Sequence, residues 1–242
     1  LPAGITHVPF NDVAALEAAI SDKTCAVIIE PIQGESGILP ATQEYLQAAR
    51  RLCDKHGSLL ILDEVQTGMG HTGKLFAYEH YGVTPDILSS AKALGGGFPI
   101  GAILTTEKIA PTFGPGTHGS TFGGNPMACA VGSRAFDIIN APETLEHVKQ
   151  QGQKLQTALR EIGEKTGVFK EVRGMGLLLG CVLADKYEGK ASEITAAALK
   201  HGLMVLVAGA NVVRFAPSLL LNDEDMAEGL KRFEAALAEW LA

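Results

Sequence analysis

A hydrophobic stretch that ends in two acidic residues constrains the fold of this chain most strongly. Residues 59–62 read Leu-Leu-Ile-Leu, and Asp63 and Glu64 follow directly. A run of consecutive aliphatic residues is typical of a parallel strand that is covered on both faces. Open α/β sheets bind ligands at the carboxyl ends of such strands. Because a buried, uncompensated carboxylate costs several kcal/mol, we expect Asp63 to have a cationic or hydrogen-bonding partner.

Predicted strands and helices alternate up to about residue 140. Cap residues, apolar spacing and short apolar runs predict, in order, helix 11–20, strand 25–29, helix 42–56, strand 59–62, helix 76–81, strands 87–90 and 99–105, and helix 125–140. This alternation predicts an α/β fold with a mainly parallel, doubly wound sheet.

The pattern changes after residue 142. A long amphipathic helix to residue 165 is predicted to precede strands 175–183, 203–207 and 212–215 and helices 192–201 and 223–241. We therefore expect two domains, residues 1–140 with the sheet that contains Asp63 and residues 141–242 as a smaller α+β domain.

Composition argues against several classes of protein. Of the 242 residues, 46% are hydrophobic, which is enough for a sizeable core. The net charge of −7 argues against a surface for nucleic acid or an anionic membrane. No apolar run reaches the roughly 18 residues of a membrane span, and no signal-peptide pattern is seen. Because the first residue is Leu, we expect the chain to begin inside a longer sequence.

Cysteine and histidine spacing predicts neither a disulfide framework nor a metal site. The four cysteines lie far apart, and we expect buried free thiols at Cys25, Cys53, Cys129 and Cys181 and a cytoplasmic protein. The histidines are scattered, without an HxxxH or HExxH pair, so no bound metal is expected.

An acidic strand end also occurs in P-loop ATPases, where it binds magnesium. Residues 68–74 match the GxxxxGK pattern of that family. However, Leu75 stands where Ser or Thr would hold the metal, and the glycine-rich segment follows the acidic strand instead of preceding it. These differences disfavour the ATPase interpretation.

Lys92 is the candidate partner of Asp63. It follows a predicted strand, and glycines occupy positions 95–97. Taken alone, a lysine before a turn is most simply a surface residue. The strands before Asp63 and Lys92 are expected to point to the same sheet edge. A lysine and an aspartate that meet there suit pyridoxal phosphate, since lysine forms a Schiff base with the aldehyde and aspartate keeps the ring nitrogen protonated.

Five segments, in order and with matching spacing, resemble class-III pyridoxal-phosphate-dependent aminotransferases. They are residues 30–35 (EPIQGE), 62–68 (LDEVQTG), 90–97 (SAKALGGG), 119–126 (GSTFGGNP) and 213–218 (VRFAPS). The resemblance covers the whole chain and is strongest for the acetylornithine and succinylornithine branch. It implies part of transferase fold type I, namely the second half of the large cofactor domain and the small C-terminal domain.

The resemblance implies a role for each residue of the candidate site. Lys92 and Asp63 would be catalytic, with Lys92 binding the cofactor and moving the substrate proton. The implied cofactor-binding residues are Lys92, Asp63, Glu64, Val65, Gln66 and Thr121, and the implied substrate-binding residues are Ser120, Arg214 and Glu35. Val65 would pack on the ring and Gln66 would bind the ring hydroxyl. Thr121 would reach the cofactor phosphate of the neighbouring subunit, and Glu64 itself is expected to be structural.

Arg214 lies in an otherwise apolar predicted strand. Taken alone, it could occupy an exposed strand face. The resemblance favours a clamp for a substrate carboxylate, which suits the fork of the guanidinium group. Glu35 is similar to the glutamate that pairs with this arginine and helps to distinguish the substrates of the two half-reactions.

The activity implied by the resemblance is transfer of the terminal amino group of N2-acetylornithine to 2-oxoglutarate, in arginine biosynthesis, by a homodimer with a shared active site. Succinylornithine, ornithine and 4-aminobutyrate remain alternative donors. A further alternative is an inactive piece that needs a complementary chain. The phosphate-binding turn, the ring-stacking aromatic residue and a second carboxylate-reading arginine of such enzymes have no counterpart in residues 1–242. His71 also departs from the arginine usual at its position.

Overall fold

A computed structural model describes residues 3–242 and divides into two compact units. The first unit contains the described residues up to Pro31, Ala41–Met69 and Phe76–Asp137, and the second contains Ile32–Pro40, Gly70–Leu75 and Ile138–Ala242. The predicted domains 1–140 and 141–242 stay a prediction.

The predicted helices are all found, with bounds that differ by a few residues. In chain order they are α1 (Val13–Ala19), α2 (Gln43–His56), α3 (Pro126–Ile139), α4 (Pro142–Thr166), α5 (Ala191–Lys200) and α6 (Asp223–Leu241), and the helix predicted over 76–81 is a 3-10 turn, Ala77–His80. The strands are β1 (Ala26–Ile29), β2 (Ile32–Gln33), β3 (Leu39–Pro40), β4 (Leu59–Asp63), β5 (Ile87–Ser90), β6 (Ala102–Thr105), β7 (Phe169–Met175), β8 (Leu178–Leu183), β9 (Leu206–Val207) and β10 (Val212–Phe215).

The first unit contains a sheet with the strand order β1-β4-β5-β6. Strands β1, β4 and β5 are parallel, which confirms the predicted α/β fold with a mainly parallel sheet. Strand β6 runs antiparallel to β5. A parallel return needs a crossover of about a dozen residues or more. Only residues 91–101 join these two strands, so the chain turns back instead.

The two faces of this sheet differ in exposure. Leu60, Leu62 and Leu88 are buried on one face, whereas Ile28 and Ile103 on the other face are 70% and 65% exposed. Strand alternation and register place Asp63 on the same, more open face as Ile103. Helix α2 packs against β1 and β4, begins after the Thr42 cap and ends at a left-handed glycine, which fixes the position of the adjacent strands.

The second unit contains an antiparallel sheet with the strand order β7-β8-β10-β9. Helices α4, α5 and α6 form its main core on one face, where Phe233 contacts Phe169 and Phe215 at ring-centroid distances of 5.9 and 5.0 Å. Side chains on the opposite face pack with Ile32 and Ile38 from the β2–β3 hairpin. This second face positions the candidate substrate residues.

The strand predicted over 175–183 is two strands, so that prediction was wrong in its extent. Strand β7 contains the charged residues Lys170, Glu171 and Arg173, which interrupt the apolar pattern expected of a strand. The chain turns at Gly176, which has φ +56, and a Cβ added there would lie 2.5 Å from the carbonyl oxygen of His71. Only glycine allows this turn and this close backbone approach.

All four cysteines are free thiols, but not all are buried. Cys53 and Cys181 are buried, as predicted. Cys25 and Cys129 are exposed, because Cys25 precedes β1 and Cys129 lies on an outer side of α3. The prediction of burial was therefore wrong for these two. None of the helices in the described part of the chain combines the length and apolar character needed to cross a membrane.

Candidate functional site

Asp63 is the last residue of β4 and lies half-buried at the end of that strand. Its Oδ1 accepts hydrogen bonds from the backbone N–H of Val65 and from the hydroxyl of Ser89, both at 3.0 Å. Ser89 is the register neighbour of Asp63 on β5. Within residues 3–242 no hydrogen bond to Oδ2 is found. The carboxylate is therefore oriented through one oxygen, and the other is available to a cationic ligand.

Glu64, the next residue, is buried and holds the backbone of a neighbouring segment. It is 1% exposed and accepts hydrogen bonds from the Thr67 hydroxyl at 2.7 Å and from the backbone N–H groups of Ala77 and Tyr78, both at 2.8 Å. Burial raises the pKa of Glu64, while these hydrogen bonds oppose the rise. The contacts tie the end of β4 to the 3-10 turn that begins at Ala77.

Lys92 lies just beyond the end of β5, as the predicted strand 87–90 implies. Strand β5 ends at Ser90, and Lys92 opens the 3-10 turn Lys92–Gly95 with φ +48. A positive φ is uncommon outside glycine, and such strained residues cluster at functional sites. The side chain is exposed, and no carboxylate in the described part of the chain forms an ion pair with it. Its amine is therefore open to a ligand.

The remaining candidates of the first unit differ in placement. Val65 and Gln66 are half-buried directly after Asp63. Ser120 and Thr121 are exposed in the loop before α3. Among the described hydrogen bonds, none links these two residues to Asp63 or Lys92. We refer to Asp63, Ser89 and Lys92 as the strand-end cluster.

Arg214 and Glu35 meet in the second unit. Arg214 lies in β10, and its side chain is 11% exposed. Its NH1 group donates to Oε1 of Glu35 at 2.7 Å. Glu35 is 71% exposed and lies in the loop between β2 and β3. We call this ion pair the carboxylate clamp, because it joins a nearly buried cation to an exposed carboxylate.

Two residues near these groups were missed in the sequence. Ser89 holds Asp63, and its signal is its place one residue before the end of the neighbouring strand. Arg173 donates two hydrogen bonds to the carbonyl oxygen of Gly37, at 2.8 and 3.1 Å. Its signal is an arginine directly before a glycine. In the described part of the chain no group of three or more metal-ligating side chains is found.

Comparison with known proteins identifies similar sequences and structures. The family model "Aminotransferase class-III" matches residues 5–237. An acetylornithine aminotransferase from Neisseria meningitidis serogroup B (strain MC58) is 81% identical over 242 residues, which are 100% of this chain and 61% of that protein. A succinylornithine transaminase/acetylornithine aminotransferase from Pseudomonas aeruginosa PAO1 is 60% identical over 236 residues, which are 98% of this chain and 58% of that protein.

A solved structure shares the fold over nearly the whole chain. The crystal structure of N-acetylornithine aminotransferase from Stenotrophomonas maltophilia K279a matches with a TM-score of 0.91 and 46% identity, and covers 98% of this chain and 62% of that one. The chain spans about three fifths of the length of the curated relatives that it matches.

Proposed function

The chain belongs to the class-III aminotransferase family, and we propose that the full-length protein transfers the terminal amino group of N2-acetylornithine to 2-oxoglutarate. The observation that carries this proposal is the 81% identity to the Neisseria acetylornithine aminotransferase across the whole chain. The acetyl group blocks the α-amine of ornithine, so that only the distal amine can react. The reaction would belong to arginine biosynthesis.

The strand-end cluster fits pyridoxal 5′-phosphate, the cofactor of this family. The available Oδ2 of Asp63 suits a protonated ring nitrogen, and Lys92 supplies an amine for the cofactor aldehyde. When bound, the cofactor stabilises negative charge on the carbon next to the reacting amine. The fit rests on one carboxylate and one lysine at the same strand ends, both open to a ligand.

Asp63 and Lys92 then have separate tasks. Asp63 favours the charged form of the ring nitrogen through its own negative charge, and Ser89 and the N–H of Val65 keep it oriented. Lys92 moves a proton at the substrate carbon, because a neutral amine held beside that carbon is an effective general base and acid.

The other residues of the site bind or support. Val65 packs against the cofactor ring, and Gln66 binds its hydroxyl. Glu64 supports the site indirectly, because its hydrogen bonds hold the segment that carries Val65 and Gln66. Thr121 binds the cofactor phosphate of a neighbouring subunit and Ser120 contacts the substrate. The protein is accordingly proposed to be a cytoplasmic homodimer.

Arg214 binds a substrate carboxylate in this proposal. A guanidinium group binds a carboxylate through two parallel hydrogen bonds, and the nearly buried position of Arg214 strengthens that interaction. Glu35 neutralises Arg214 while an amino donor without a second carboxylate is bound. It leaves Arg214 when 2-oxoglutarate, which has two carboxylates, takes its place.

A donor screen tests the proposed activity. The full-length protein is incubated with 2-oxoglutarate and one amino donor, and glutamate formation is measured for N2-acetylornithine, N2-succinylornithine, ornithine and 4-aminobutyrate. We expect the highest kcat/KM with N2-acetylornithine. A higher kcat/KM with 4-aminobutyrate or ornithine, or no glutamate with any donor, contradicts the proposal.

N2-succinylornithine is the second candidate donor. The Pseudomonas relative, 60% identical over 98% of this chain, carries both names. Equal kcat/KM for the two acylated donors would favour this broader activity. A third possibility, that these 242 residues act only with a complementary chain, is tested by adding pyridoxal phosphate to the isolated chain. Weak binding by the isolated chain and tight binding by the full-length protein would support it.

A further inference from the structure

Two arginines flank a glycine in one row of the second sheet. In the register of the three strands, Arg173 of β7 and Arg214 of β10 both lie opposite Gly180 of β8. Residues that lie opposite one another on neighbouring strands project to the same face. The row therefore presents two guanidinium groups on either side of a position that has no side chain of its own, Gly180.

Ile38 fills the space above Gly180. A Cβ added at Gly180 would lie 2.9 Å from the Cβ of Ile38 and 2.9 Å from Cγ1 of Val212. The Ile38 side chain is fully buried at 0% exposure, and its φ of +51 is strained for a β-branched residue. Tight packing over the glycine is what holds this unfavourable backbone in place.

Arg173 holds the same loop by its backbone. Its Nε and NH2 groups donate to the carbonyl oxygen of Gly37 at 3.1 and 2.8 Å, and its NH1 donates to Glu171 at 3.3 Å. Gly37 itself has φ +118, a conformation that glycine adopts without cost. The carboxyl-terminal side of the loop 34–38 is thus fixed by Arg173 and Ile38, while Glu35 on its other side binds Arg214.

We infer that Arg173 and Gly180 are positioning residues that set how readily Glu35 leaves Arg214, and thereby the preference between substrates with and without a second carboxylate. The inference rests on the proposed function of Arg214. A loop fixed at two points keeps the Glu35 carboxylate close to Arg214, so its effective concentration there is high. A substrate carboxylate must compete with it. Loosening the loop lowers that effective concentration and favours the dicarboxylate.

A change of Arg173 in the full-length protein tests this inference. The readout is the ratio of kcat/KM for glutamate, the dicarboxylic donor, to kcat/KM for N2-acetylornithine. Because Arg173→Gln removes charged hydrogen bonds to the loop, we expect this ratio to rise about tenfold. Arg173→Lys, which keeps the charge but not the fork, should give a smaller rise. The matched control is Arg160→Gln on the exposed side of α4, which should leave the ratio unchanged.

A second substitution separates positioning from a general loss of structure. In a Glu35→Gln background there is no carboxylate to position, so adding Arg173→Gln should change the ratio by less than twofold, beyond the change made by Glu35→Gln. Ile38→Val loosens the same loop without touching either arginine and should raise the ratio in the Glu35 background. An unchanged ratio in Arg173→Gln, or an equal further change in the Glu35→Gln background, overturns the inference.

Hydrogen exchange distinguishes failure of this inference from failure of the proposed function. Peptides that contain residues 34–38 should exchange faster in Arg173→Gln than in the unchanged protein, because the N–H of Ile38 donates to Gly34 within the loop. This measurement needs no substrate. If neither donor is used but exchange rises, the proposed function fails and the loop anchor stands. If exchange is unchanged, the anchor fails whichever donor is used.

Discussion

The strand-end cluster and the carboxylate clamp hold a carboxylate in opposite ways. Asp63 lies half-buried at the end of a parallel strand and receives two hydrogen bonds on one oxygen, from Ser89 of the neighbouring strand and from the backbone of Val65. Glu35 lies on a loop, is 71% exposed and meets a nearly buried arginine. The first arrangement suits a group that acts in the same way in every turnover. The second suits a group that must leave when the substrate changes.

This difference follows from the elements that carry the two carboxylates. Parallel strands end together at one edge of a sheet, so polar groups there are set by several backbones at once. The Glu35 loop connects two strands of two residues each and depends on the anchors beneath it. If the two carboxylates differ in this way, substitutions at the strand-end cluster should affect all substrates alike. Substitutions at the clamp should separate one substrate from another.

Lys92→Ala should have the largest effect. It removes the proposed covalent partner of the cofactor, which is also the proposed proton-transfer group, so kcat should fall by roughly 10⁴-fold or more for every donor. The visible absorbance of lysine-bound pyridoxal phosphate should also disappear. Lys108→Ala, at an exposed lysine after β6, is the control and should keep both. A Lys92→Ala protein that retained the absorbance would remove Lys92 from the strand-end cluster.

Asp63→Asn should reduce turnover without altering the fold. The amide oxygen can still accept from Val65 and Ser89, but the charge that we propose keeps the cofactor nitrogen protonated is lost. By analogy with other single electrostatic groups, kcat should fall by roughly 10²–10³ for acetylornithine and glutamate alike. Steady-state kinetics with both donors checks this. A loss confined to one donor would contradict the comparison.

Arg214→Ala should separate the substrates that Asp63→Asn treats alike. Loss of a charged hydrogen-bond pair costs roughly 2–5 kcal/mol, and we expect the lower end because Glu35 is exposed. The effect should fall on kcat/KM for 2-oxoglutarate, with cofactor affinity unchanged by titration with pyridoxal phosphate. An equal loss of cofactor affinity would assign Arg214 a structural role instead.

The strand-end cluster could be predicted from sequence patterns more easily than the carboxylate clamp. The aliphatic run before Asp63 predicts both the strand and the place of the carboxylate, because a sheet edge is implied by local sequence. The pairing of Glu35 with Arg214, which lie 179 positions apart, is not visible in any local pattern and came from family resemblance alone. The left-handed backbone of Lys92 was not predicted, because hydrophobic spacing carries no information about the sign of φ.

Tertiary contacts explain the remaining differences. The segments Ile32–Pro40 and Gly70–Leu75 belong to the second unit although the sequence around them folds in the first. Their place is decided by close approaches such as that of Gly176 to the His71 carbonyl, which only the folded chain creates. Strand β7 was not predicted because Lys170, Glu171 and Arg173 are charged. The role of Arg173 could not be predicted either, because it depends on a hydrogen bond to the distant carbonyl of Gly37.

Glu64 gives a pH-dependent test of the support behind the strand-end cluster. Burial raises its pKa in the folded protein. The folded state therefore retains a proton that the unfolded state releases above a pKa of about 4.3. Stability from this group is greatest below that pH and is lost as pH rises through the folded-state pKa.

Denaturant unfolding between pH 4 and pH 8 measures this loss. Relative to Glu64→Gln, which cannot titrate, the unchanged protein should lose stability with rising pH, with a slope no steeper than about 1.4 kcal/mol per pH unit. Glu107→Gln, at an exposed glutamate after β6, should keep the slope of the unchanged protein. Parallel pH profiles for the unchanged protein and Glu64→Gln would show that folding does not change the pKa of Glu64.

The smallest expected effect is at the two adjacent serines of β5. Ser89→Ala removes one neutral hydrogen bond to Asp63, worth roughly 0.5–1.5 kcal/mol, so kcat should fall a few-fold for all donors. Ser90 is buried, and its hydroxyl has no hydrogen-bond partner in the described part of the chain. Ser90→Ala should therefore leave kcat unchanged. If Ser89→Ala instead changed the ratio of kcat/KM between glutamate and acetylornithine, orientation of Asp63 would affect substrate choice. The expectation that only the carboxylate clamp affects substrate choice, and not the strand-end cluster, would then be wrong.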